Sequence, residues 1–177
     1  MRAPQTLGQW FRERLAAGAC GLSLVEETEA RLTNLLGFTS SQGLLHMDAH
    51  FENVLTNGSE LFLTDFGLSI SQAFCLEEEE RAFFERHRSF DLCTALTSNV
   101  HAVVSHYDSS SDDWREPLRA MLGGAESGLD EAPAGLRTYL AGRGPLALAI
   151  GDFYSRLISD FATEYPAATL QGLLDQG

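Results

Sequence analysis

His46, Asp48 and His50 alternate along HMDAHFEN, Asn53 follows three positions later, and Asp65 stands in TDFG. Two imidazoles, two carboxylates and a carboxamide so close together are a dense supply of proton carriers and oxygen donors. A carboxylate beside a hydroxyl substrate serves as a general base. A carboxamide oxygen and a second carboxylate suit a hard cation such as Mg²⁺. The alternation H-x-D-x-H suits another chemistry as well: on an extended segment His46, Asp48 and His50 could face one side and bind zinc for a metal-dependent hydrolysis. Which chemistry applies depends on the elements that position these residues.

The runs NVLT and ELFLT flank Asn57-Gly58, a pair favoured in a two-residue type I′ turn, and together they predict a β-hairpin. A hairpin brings its outer ends together, so Asn53 and Asp65 are expected to approach each other across it. Asp48, on the loop five residues before Asn53, then lies beside that pair as a base or orienting group. Upstream, Leu7, Trp10, Phe11 and Leu15 recur at helical spacing, with Gly18 as a stop. Ser23 and Glu26 have the form of a capping box before an apolar side made of Val25, Leu32, Leu35, Leu36 and Phe38. Downstream, SISQAF reads as irregular, the stretch from Cys75 to Tyr107 as helical with a break near Arg88–Ser89, and DSSSDD as a loop. A short helix around Trp114–Leu122 precedes a Gly-rich loop through Gly135. Helices over Pro145–Glu164 and Pro166–Leu174 follow, each proline in a first turn. The acidic run Glu77–Glu80 is a solvated first helical turn.

HMDAHFEN fits H-x-D-x-x-x-x-N, and DFG follows after a hairpin; in order, spacing and context the segment resembles the catalytic segment of the protein-kinase-like superfamily, particularly its aminoglycoside-phosphotransferase and small-molecule-kinase branch. The resemblance implies an α+β, predominantly helical fold: a kinase-like C-terminal lobe whose hairpin carries the catalytic and DFG loops. It covers residues 1–177 as a helical lead-in over 1–43, the catalytic loop, hairpin and DFG over 44–67, and a helical subdomain over 68–177. The implied activity is transfer of a phosphoryl group from ATP, with Mg²⁺, to a hydroxyl of a small molecule. Asp48 would orient the hydroxyl and accept its proton, and Asn53 and Asp65 would hold Mg²⁺ on the nucleotide phosphates. His50 stands where protein kinases carry a lysine near the transferring phosphate. His46 would support the loop, and Asp91 would be the buried helix carboxylate that accepts backbone hydrogen bonds from it. An exposed acid on a helix is the plain alternative for Asp91, and His87, His101 and His106 read as surface or satisfied core histidines.

The small lobe of such enzymes has no counterpart in these 177 residues, and all twelve basic residues are arginine. A strand lysine and a glycine-rich phosphate loop are therefore expected from a missing N-lobe segment immediately upstream, or from a partner chain. These residues by themselves are expected to bind ATP weakly and to transfer little. A noncatalytic kinase-like binding module or truncated relic is the alternative function, and the hydrolase using His46, Asp48 and His50 is a third.

A chain of 177 residues with 44 % apolar content sustains one domain with its own core. Its net charge of −13 argues against a nucleic-acid surface. Cys20, Cys75 and Cys93 show no zinc or disulfide spacing and are expected to be reduced thiols. With no apolar leader at MRAPQTLGQWF and no membrane span, the sequence reads as a cytoplasmic protein.

Overall fold

Gln5–Thr6 (β1) leads directly into Leu7–Ala16 (α1), and the Thr6 hydroxyl accepts the Gln9 N–H at 3.2 Å, satisfying one of the first-turn donors. The computed structural model describes residues 4–18 and 21–176, so Cys20 lies outside the described residues. The first helix ends as the sequence predicts, with Gly18 in the left-handed region at φ 74°. Gly21–Ser41 (α2) begins two residues before Ser23, which places Ser23 inside the first turn and not at its flank; the expected Ser23/Glu26 capping box is not the helix start. Leu24, Val25, Leu32 and Leu36 turn inward, whereas Phe38, expected on that side, is 64 % exposed.

Four short strands follow: Leu44–Leu45 (β2), Val54–Thr56 (β3), Leu61–Leu63 (β4) and Ile70–Ser71 (β5). β3 and β4 form the predicted hairpin, and β1 pairs antiparallel with the other edge of β3. The described residues of the lead-in thus contain two helices and, against expectation, the short strand Gln5–Thr6. β5, read from sequence as irregular, pairs with β2. The hairpin turn also differs from expectation. Thr56 faces Leu61, so four residues connect the strands, and of Asn57 and Gly58 only the glycine has positive φ. Asn57 accepts N–H groups from Ser59 and Glu60 through its side chain, a competing turn chemistry that the Asn-Gly signal does not separate from type I′.

The remaining helices are Glu78–Arg86 (α3), Phe90–Tyr107 (α4), Arg115–Leu122 (α5), Ala134–Ser159 (α6) and Ala167–Gln176 (α7). α3 opens on a reciprocal Glu77/Glu80 capping box, and the break before α4 falls where the sequence puts it. α4 is the central helix. Its Ala95, Val100, Val103 and Val104 join the core built from α1 and α2, and its Phe90, Cys93 and Leu96 join a second cluster with α6, α7 and Tyr165. Cys93 is fully buried and Cys75 exposed, both as free thiols.

Pro145 lies in the middle of α6, not in a first turn, and Gly135 belongs to the same helix, not to a loop. An interior proline costs about 3 kcal/mol. Leu136, Leu140, Leu146, Ile150 and Phe153 are buried on both sides of it, and at roughly 1.5–3 kcal/mol each they outweigh that cost. Tertiary packing overrides the local breaker. No helix among the described residues is long and apolar enough to cross a membrane.

His87 is sandwiched between the rings of Phe83 at 3.8 Å and Tyr165 at 4.5 Å. Burial holds its pKa below the ordinary histidine value, opposed by the hydrogen bond to the Phe83 carbonyl. The unfolded chain therefore binds a proton that the native chain resists. This contribution to stability is complete above about pH 6.5 and is lost as the pH falls through the lower folded value. Urea unfolding between neutral and mildly acidic pH should show a steeper loss for the wild type than for His87→Phe; identical slopes would remove His87 from the account.

Candidate active site

The segment from β2 to β5 is a strip closed on itself twice: β2 pairs with β5 at its outer ends, and β3 pairs with β4 inside. Between β2 and β3 the chain makes a loop ending in a 3-10 turn over Phe51–Asn53. Phe51 anchors that turn by packing edge-on against Phe11 of α1 at 5.6 Å, and both rings are buried. The Thr64 N–H donates to the Asn53 carbonyl at 3.0 Å, so the hairpin's open end brings Asn53 to within one residue of Asp65 along the opposite strand. Asp65 is exposed and holds the left-handed conformation at φ 61°, ψ 70°, with its carboxylate accepting loosely from the Gly67 N–H at 3.4 Å.

Asp48, His50 and Asn53 come together on the loop. The Asn53 amide nitrogen donates to the Asp48 carbonyl at 3.0 Å and to its carboxylate at 2.8 Å; Asn53 Oδ1 takes no part in either bond. His50 Nδ1 accepts the Glu52 N–H at 3.2 Å, which assigns the ring proton to Nε2, and Nε2 lies 3.5 Å from the other Asp48 oxygen. Asp48 is one-third exposed, so its carboxylate is held by neighbours yet open to solvent.

His46 is fully buried and does not join this group. Its Nε2 reaches the Thr64 carbonyl at 2.8 Å and its ring meets Phe66 edge-on at 5.0 Å, tying the loop to the segment around Asp65. With Nε2–H donating there, Nδ1 is a buried acceptor without a partner. H-x-D-x-H therefore does not gather three ligands: His46 is turned to the hairpin while His50 stands by Asp48. No cluster of three His, Cys, Asp or Glu side chains suited to a metal occurs among the described residues. The Asn53 and Asp65 oxygens instead offer the hard, partly exposed donors that Mg²⁺ takes alongside waters and phosphates.

Asp91, at the start of α4, accepts the His46 N–H at 2.6 Å through one oxygen and the Met47 N–H at 2.8 Å through the other. It is 4 % exposed, which rules out the plain alternative of an exposed helix acid. Burial raises its pKa, while the two N–H donors oppose that rise. The bonds hold Met47 at φ 65°, a left-handed conformation that a non-glycine residue reaches only at a cost. One carboxylate thus fixes the backbone immediately before Asp48.

Two histidines take on a place that their sequence context did not suggest. His101 and His106 line a groove together with His50, Arg12 and Glu52. The signal that could have found them is the spacing of Ser98, His101, Ala102 and Ser105, a small and polar stripe at helical intervals on an otherwise apolar helix. A larger groove of about 900 Å³ between α2 and α6 is lined by no residue of the β2–β5 strip. No protein-family model, curated protein or solved structure matches the chain.

Proposed function

We propose that this chain is the acceptor-phosphorylating lobe of an ATP- and Mg²⁺-dependent small-molecule kinase of the protein-kinase-like type. The observation that carries the reading is the coupling of Asp48 to Asn53: the Asn53 amide nitrogen holds the Asp48 carboxylate, and the Asn53 carbonyl is bonded to the Thr64 N–H, next to Asp65 in the chain. Asp48 orients the acceptor hydroxyl and takes its proton as the hydroxyl oxygen bonds to the γ-phosphorus of ATP. The bond from that phosphorus to the bridging oxygen breaks, and ADP leaves with the electron pair. Asn53 Oδ1 and the Asp65 carboxylate would hold Mg²⁺, which supplies charge neutralisation to the phosphates. His50 would contact the phosphoryl group in flight by turning its Nε2–H away from the Asp48 carboxylate, 3.5 Å from it. His46 and Asp91 keep the loop in shape and touch no reactant.

A noncatalytic binding module is the second reading, favoured by the absence of lysine from all 177 residues. Titrating Mg²⁺ and ATP into the ¹⁵N-labelled chain tests the first. Amide shifts should concentrate at Asn53, Asp65 and Gly67 and require both components. Shifts elsewhere with these three silent would overturn the assignment.

A further inference from the structure

The groove beside His50 carries information about the acceptor. It has a volume of about 520 Å³, lies between α1 and α4, and is bounded on the loop side by His50, Phe51 and Glu52. Three of the chain's five histidines, His50, His101 and His106, line it with Arg12 and a single carboxylate, Glu52. Gly8 lets Glu52 lie against α1, since a side chain there would run into the Glu52 carboxylate. Both terminal nitrogens of Arg12 reach Glu52 Oε1 at 3.3 Å, and the pair is more than half exposed on each side. So exposed a pair is weak, and Arg12 can turn to a ligand at little cost.

Charge distinguishes this groove from its surroundings. On a chain of net charge −13 its formal lining charge is zero, one arginine against one glutamate, with three imidazoles able to donate hydrogen bonds. A groove around Asp108 is lined by Glu116, Glu126, Asp130 and Glu131 with no basic side chain, and a cation would be drawn there instead. His101 is braced by Trp114 at 5.2 Å, so one of the donors is held in place before any ligand arrives.

We propose that this groove is the acceptor site and takes a small hydroxylated anion, its phosphate or carboxylate held by Arg12, His101 and His106 and its hydroxyl directed past His50 to Asp48. The assignment of the groove to an acceptor rests on the phosphotransferase reading; the anion selectivity does not. A site built this way pairs a charge-assisted arginine contact with neutral donors, and it repels an amine only through Arg12.

The test uses the full chain with ¹⁵N-labelled histidine, without ATP or Mg²⁺, and follows the imidazole resonances. Glycerol 3-phosphate and glycerate are the anionic probes, glycerol the neutral one and ethanolamine the cationic one. Either or both anions should shift His50, His101 and His106 together, while glycerol and ethanolamine leave them in place. Arg12→Gln should weaken the anion's affinity by about tenfold, the loss of one charge-assisted contact, and His101→Gln provides a second variant on a different helix. Shifts of equal size with ethanolamine, silence with both anions, or undiminished affinity in both variants would overturn the proposal. Because the nucleotide is left out, failure here is distinct from failure of the Mg²⁺ and ATP titration: either can be lost while the other stands.

Discussion

Replacing Asp91 with alanine should destabilise the protein by roughly 3–5 kcal/mol, because one buried and one partly buried N–H group lose a charged acceptor at once. Both bonds are short and each uses its own carboxylate oxygen. For a chain of this length the cost corresponds to a fall in melting temperature of the order of 10 °C. Asp91→Asn keeps one acceptor oxygen but sets an amide N–H₂ against the other backbone donor, so it should fall between wild type and alanine. Thermal and urea unfolding measure the loss. Hydrogen exchange locates it, since the His46 and Met47 amides should lose protection before those of β3. An alanine variant within about 1 kcal/mol of wild type would show that the loop is held by other contacts.

Asp48→Asn should leave folding almost unchanged and reduce phosphoryl transfer by about 10²–10⁴-fold. Asparagine has the shape of aspartate and an oxygen that can still accept from the Asn53 amide, so the loop keeps its geometry. It cannot take a proton from the acceptor hydroxyl. The measurement is single-turnover transfer of labelled phosphate from ATP, at an enzyme concentration high enough to register a slow rate, with unfolding followed on the same samples. A rate within about threefold of wild type would remove Asp48 from the proton-transfer role. The same experiment weighs the second reading, since a binding module gives no wild-type rate for the substitution to reduce.

Much of the positioning machinery was legible because it is local. Asn53 and Asp65 are joined by a hairpin whose strands alternate and whose turn carries Asn-Gly, and that signal needs no knowledge of distant residues. The turn departs from the Asn-Gly expectation because Asn57 has two ways of satisfying the backbone, one with positive φ and one through its side chain, and both favour the same residue. β1 and β5 are two residues long and exist only through their partners, so neither carries a periodicity of its own. The intrinsic chemistry of Pro145 favours a helix start, and the burial of the α6 face outweighs it. Asp91 stood out through resemblance to a family; what it bonds to depends on how α4 docks under the loop, forty-five positions from His46. His101 and His106 carry no local signal because the groove they line exists only once α1 lies across α4.

The strip that carries the site exposes Phe62, Phe66 and Leu68 to solvent, and Phe74 just after it is exposed as well. On a chain with net charge −13, mutual repulsion holds copies apart at low ionic strength, where the screening length is about 30 Å at 0.01 M salt. At 1 M it is about 3 Å, shorter than an aromatic ring, and the same salt favours contact between apolar surfaces when its anion is sulfate. Exposed apolar side chains such as these then contribute to colloidal behaviour: dilute buffers keep the chain dispersed, and ammonium sulfate brings it out of solution early. A polar replacement at Phe74, the most exposed of the four, would move that precipitation point without touching Asp48, Asn53 or Asp65.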